Sequence, residues 1–145
     1  MYFVDREKIE EILVFLERQF SLFEEIKDLH TDLEKAAMER IGHTIVEGIL
    51  DVGNAMIDGF IMRDPGSYED IVDILDDEKV VQGELTKSMK EIVSYRKVLV
   101  QQYTNINHNQ MKKVFGENLP SLRQFPEKVR EYLLNELGPV SAFRY

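Results

Sequence analysis

ERIGHTIVEGILDVGNAMI, residues 39–57, decides the fold. Ile41, Ile45, Val46, Ile49, Leu50, Val52, Met56 and Ile57 wrap most of the circumference of an α-helix. A helix apolar on nearly every side belongs at the centre of a bundle rather than on its surface. Gly42, Gly48, Gly53 and Gly59 each cost such a helix about 1 kcal/mol relative to alanine, so close approach of a neighbouring backbone is expected to compensate. Upstream, Thr31 or Asp32 can cap the helix by satisfying free amides of its first turn, and the apolar pattern continues to about Met62.

Outward from this segment the periodicity stays helical. Ile9, Ile12, Leu13, Leu16, Phe20, Phe23, Ile26 and Leu29 recur every three or four residues, predicting an amphipathic helix from about Asp5 to Leu29. RDPGS, residues 63–67, interrupts the pattern, since proline and glycine stop a helix and a following serine restarts one. SYEDIVDILDDE, residues 67–78, reads as a short helix with Ser67 and Asp70 spaced like a capping box. After a connector at 79–83, a fourth helix is expected over about Glu84 to Tyr103, with Leu85, Met89, Ile92, Val93, Leu99 and Val100 inward. TNINHN, residues 104–109, is turn-like. The stretch 110–137 is helical in period, but Pro120 and Pro126 each remove an amide donor and should break or kink it; Gly138 and Pro139 end it. No strand alternation appears, so the expected fold is all-α, a bundle of about five helices forming a single domain over residues 1–145.

At 145 residues, with 43% hydrophobic and 31% charged side chains, the chain has the composition of an ordinary globular domain. Without cysteine it forms no disulfide and no thiolate metal site. The N-terminal stretch carries acidic residues where a signal peptide is basic, and every apolar run is interrupted before it could span a bilayer; a cytoplasmic protein with no membrane partner is expected. The net charge of −9 is unevenly distributed: residues 1–78 carry −14 and residues 79–145 carry +5. Such asymmetry marks either a basic surface for an anionic ligand or complementary helices packed on each other.

Two groups of residues could carry chemistry. Glu39, His43, Glu47 and Asp51 lie four apart on the central helix, within a sector of about 120°. Carboxylates with an imidazole can ligate a metal, but a bundle di-metal site needs matching inward carboxylates from other helices, typically with Glu and His three apart. No such motif is present, and Arg40 shares the stripe, so a charged strip paired with the later basic helix is the expected reading, with no metal or other cofactor. His30 sits at a helix end and His108 in a turn; no Ser/His/Asp set and no phosphate-binding glycine loop can be assembled. The second group is YRKVLVQQY, residues 95–103. On an ideal helix Arg96, Val100 and Tyr103 fall nearly on one line, whereas Gln101 is displaced by about 140° from Arg96. One copy cannot focus both side chains on a ligand, but two copies facing each other across a two-fold axis can.

This segment and its surroundings resemble the HepT-like branch of the HEPN superfamily, small helical proteins whose active members are ribonuclease toxins paired with a minimal nucleotidyltransferase antitoxin of the MntA type. The resemblance covers nearly the whole chain: ERIGHTIVEGILDVGNAMI is similar to the family's central helix, RDPGSYEDIVDILDDEKVV to its short connecting helix, and SYRKVLVQQYTNIN to its signature helix. The signature runs Arg-Asn, any residue, Leu, any residue, His, any residue, Tyr. Arg96, Leu99 and Tyr103 match it, while Lys97 stands in place of asparagine and Gln101 in place of the catalytic histidine. The resemblance implies a metal-independent endoribonuclease acting as a symmetric homodimer, with Arg96, Lys97 and Lys90 of both subunits gathering positive charge for RNA or nucleotide. It also implies that Tyr103 accepts AMP from the nucleotidyltransferase. Glutamine has no pKa near neutrality, so the departure at Gln101 implies cleavage slower by at least about 100-fold. His108 is a conceivable substitute, but it lies beyond the expected helix end. The alternative is a non-catalytic protein that binds RNA or nucleotide or serves as a scaffold for the nucleotidyltransferase. The tail GPVSAFRY, residues 138–145, carries aromatics suited to covering a surface or a subunit contact.

Overall fold

A computed structural model describes residues 2–139, so the aromatics of the tail beyond Pro139 lie outside the described residues. Those described form six α-helices and no strand: α1 (Arg6–Glu25), α2 (Asp32–Gly59), α3 (Tyr68–Asp77), α4 (Glu84–Gln101), α5 (His108–Leu122) and α6 (Gln124–Leu137). The all-α expectation holds. The last expected helix is divided at Arg123, because the Pro126 ring cannot pass the carbonyl four residues back, at Leu122. Counted as one kinked element, α5 and α6 make five.

The local signals explain most boundaries. Asp5 caps α1 through Lys8 N–H. Thr31 and Glu34 form a reciprocal capping box at the start of α2. At α3 only half the expected box forms: Ser67 accepts from the Asp70 amide, but the Asp70 carboxylate turns to Gly66 N–H and to Arg63. α1 stops at Glu25, four residues before its periodicity does. Ile26 is extended, since the chain must reverse within six residues to reach α2, yet Ile26 and Leu29 still pack on the core.

α2 is the central helix. α1 runs antiparallel to it, so Leu16 fills the space over Gly48 and Val4 that over Gly59. Ile71 of α3 lies against Gly53, and Met111 and Phe115 of α5 lie against Gly42. The expected backbone approach thus occurs at Gly59, against the Phe3 carbonyl; at Gly42, Gly48 and Gly53 it is apolar side chains that occupy the missing Cβ space. Phe115 stacks on Phe23 of α1 at 5.2 Å and meets Tyr95 of α4 edge-on at 5.4 Å. α6 closes the bundle outside α1: Arg130 donates four hydrogen bonds to Glu10 and Glu17. Arg6 reaches the Gly138 carbonyl at 2.7 Å. Among the described residues no helix is long and apolar enough to cross a membrane.

Candidate functional site

Between α2, α3 and α4 the chain assembles a polar cluster around Arg96. Periodicity buries Leu85, Met89, Ile92 and Val93 of α4, which turns Arg96 toward the flank of α2. There its Nε donates to Glu47 Oε1 at 2.8 Å, with the side chain 27% exposed. Its guanidinium also lies over the Tyr68 ring, 4.3 Å from the centroid, a stacked arrangement that favours arginine over lysine. One turn earlier on α2, His43 Nε2 faces the same Glu47 oxygen at 3.5 Å. One turn earlier again, Glu39 Oε2 holds His108 Nε2, in the first turn of α5, at 2.6 Å.

The acidic stripe of α2 is therefore largely consumed by internal pairs, as the charge pattern led one to expect. Glu47 meets the basic helix α4, and Glu39 meets α5. Asp51, the last member, has its carboxyl pushed above the usual aspartate range by burial and then by the charge of Glu47. Among the described residues no group of three or more His, Asp or Glu is disposed to hold a metal ion. His30 belongs to the α1–α2 connection, with its ring 3.6 Å from Asp28.

The other signature positions are spread out. Gln101 is the last residue of α4, exposed, and its side chain makes no hydrogen bond among the described residues. Tyr103 lies past the helix end, 65% exposed, so it does not continue the line of Arg96. Val100, expected to point inward, is 39% exposed, while Leu99 packs partly on the core; the helix ends two residues before the expected Tyr103. Lys97 is exposed and makes no ion pair among the described residues. Lys90 is different: its ammonium bonds Asp73 of α3 at 2.9 Å, and that bond raises its pKa above the ordinary lysine value. It is thus a neutralised charge rather than a free one. Two surface grooves, of about 390 and 430 Å³, lie at the α3–α4 connector with α6 and between the end of α1 and α5; neither includes Arg96. A single chain thus presents Arg96, Lys97, Gln101 and Tyr103 on an open surface.

Two members of the cluster are not legible as partners of Arg96 in the sequence. Glu47 carries a signal, its place in the i, i+4 acidic stripe, but its particular match is set by the packing of α2 on α4. Tyr68 carries none, because its role depends on how α3 is laid across both.

Comparison with known proteins places the chain among relatives. Residues 6–129 match the family described as ribonuclease HepT-like. YutE of Bacillus subtilis (strain 168), a protein whose name proposes it as an RNase, is 51% identical over 144 residues, spanning 99% of this chain and 100% of YutE. The solved structure of YutE from Bacillus subtilis, described as a cytosolic protein of unknown function, superposes with a TM-score of 0.93 at 51% identity, over 99% of this chain and 100% of that one.

Proposed function

The chain belongs to the ribonuclease HepT-like family, and on that basis we propose that it is a cytosolic endoribonuclease with a weakened active site, acting as a symmetric homodimer. The observation that carries the reading is Arg96: the arginine that matches the family signature is partly exposed, oriented by Glu47 and Tyr68, and accompanied by the exposed Lys97, which has no ion pair among the described residues. A guanidinium can hold two phosphoryl oxygens at once and stabilise the charge that builds on them during internal attack by a 2′-hydroxyl. Gln101 can hydrogen-bond the reacting group but cannot carry a proton through the reaction. Gln101 also lies too far around α4 from Arg96 for one chain to close the site, whereas a two-fold axis beside the exposed Val100 would bring the second copy's residues opposite.

Tyr103, 65% exposed, fits an acceptor of AMP from an MntA-like nucleotidyltransferase in a toxin-antitoxin pair, because its phenol is open to a second protein. The test of the main reading is RNA cleavage by purified wild type, Arg96→Ala and Gln101→His. Gln101→His should cut at least about 100-fold faster than wild type, and Arg96→Ala should abolish cleavage. A wild type as fast as Gln101→His would overturn the weakened site. A second reading, a non-catalytic RNA-binding or scaffold protein, is favoured by one observation: Glu47 already occupies Arg96. Its signature is tight RNA or nucleotidyltransferase binding with no cleavage by either protein.

A further inference from the structure

We propose that His43 is the proton-transfer group through which residual RNA cleavage runs, an inference that rests on the ribonuclease reading above. His43 and Arg96 share one atom, Glu47 Oε1, at 3.5 and 2.8 Å respectively. The imidazole and the guanidinium are therefore neighbours on either side of a single carboxylate, although they are 53 positions apart in the sequence. His43 is one-third exposed, so a phosphodiester gripped by Arg96 lies within its reach. Gln101 brings no titratable atom to that place; His43 does.

The surroundings suit the task. Glu47 would stabilise the imidazolium formed when the ring takes up a proton, and at the same time it fixes Arg96; it is a positioning residue for both. The charged groups facing His43 are Glu47 from its own helix and, across that carboxylate, Arg96 from α4. Glu39, a turn away, is engaged by His108 of α5 and so does not compete for the ring. In the proposed step neutral His43 removes the proton of the 2′-hydroxyl, the 2′-oxygen bonds to phosphorus, and the bond from phosphorus to the 5′-oxygen breaks. The imidazolium then returns that proton to the departing 5′-oxygen. The products are a 2′,3′-cyclic phosphate and a 5′-hydroxyl, with no net proton consumed.

The experiment measures single-turnover cleavage of a single-stranded RNA from pH 5 to 9 by wild type, His43→Gln, His108→Gln and Gln101→His, with RNA affinity measured in parallel. The expected result is a pH-dependent wild-type profile, one limb of which disappears in His43→Gln. The rate at the optimum should fall at least about tenfold, while affinity and the profile of His108→Gln stay unchanged. The inference is overturned if His43→Gln keeps the wild-type profile, if the limb is lost in His108→Gln instead, or if only Gln101→His cleaves; in all three cases the ribonuclease reading survives. Absence of cleavage in every protein, Gln101→His included, would remove both.

Discussion

At the scale of single residues, the cluster around Arg96 is a balance between holding a cation still and leaving it available. Glu47 cancels much of its charge, and Tyr68 fixes the plane of the guanidinium. Glu47→Gln should therefore raise affinity for single-stranded RNA severalfold in a filter-binding assay at low salt. It should change stability by no more than about 1 kcal/mol, since partly exposed ion pairs contribute little to folding. Unchanged or weaker binding would show that orientation by the carboxylate outweighs its charge. Much of this site was readable beforehand: Arg96 from its place in YRKVLVQQY, and the neutralisation of the α2 stripe from the spacing of Glu39, His43 and Glu47. The sharing of one oxygen by His43 and Arg96 was not, because it depends on the rotation of α4 against α2, which a chain of letters does not encode locally.

At the scale of elements, α2 and α3 end in the same unusual way. Met62 N–H returns to Ile57 and Ile61 N–H to Asp58, while Val80 N–H returns to Leu75 and Lys79 N–H to Asp76. Both are Schellman closures, whose turning residue adopts a left-handed backbone and is ordinarily glycine. Here Ile61 has φ 56° and Lys79 φ 62°. A β-branched residue in that region is strained by about 1–2 kcal/mol, so Ile61→Gly should raise the urea midpoint by the equivalent of about 1 kcal/mol, once glycine's greater unfolded freedom is allowed for. This is also why α2 ends short of the expected Met62, whereas α3 ends within a residue of the expected Glu78. The sequence offers Pro65 and Gly66 as the stop, but the turn is made earlier by residues with no preference for it. In the interior, Gly48→Ala should destabilise, since a Cβ there would come within 2.7 Å of the buried Leu16 side chain. Overpacking of about 1–3 kcal/mol outweighs the roughly 1 kcal/mol gained in helix propensity. Gly116→Ala on α5, with open space around the new methyl, should stabilise by about 0.5–1 kcal/mol. Equal and opposite outcomes would refute the packing argument. The join of α6 to α1 has a pH signature. Hydrogen bonding from Arg130 holds the Glu17 carboxyl below its ordinary value of 4.5. A lowered native pKa gives stability that is present above the unfolded value and is lost as pH falls through the native one. Arg130→Gln should thus cost about 1 kcal/mol at neutral pH, and the gap from wild type should close in acid below the 4.5 of a free glutamate.

At the scale of the whole molecule, the uneven charge of the sequence resolves into helix pairing more than into an open basic face. Glu39, Glu47, Asp73, Glu10 and Glu17 of the acidic half are matched by His108, Arg96, Lys90 and Arg130 of the other half. If a dimer offers two copies each of Arg96 and Lys97, about four phosphates are neutralised, and the logarithm of RNA affinity should fall against the logarithm of salt with a slope of about −3. Lys97→Gln should reduce that slope by about 1.4, and sedimentation should give twice the monomer mass. A slope near zero or a monomer would contradict a site completed across a two-fold axis. The central position of α2 was legible from its all-round apolar pattern, and the division of the last helix from Pro126; Pro120, expected to break or kink it as well, lies inside α5. How α6 is fastened was not, because Arg130 and its two glutamates are more than a hundred residues apart. That fastening has a kinetic outcome. α6 turns off α5 at a one-residue corner, Arg123, and buries one face only, through Phe125, Val129 and Leu133, so its amides should exchange with deuterated solvent before those of α2, whose protons should be released only when the entire bundle comes apart.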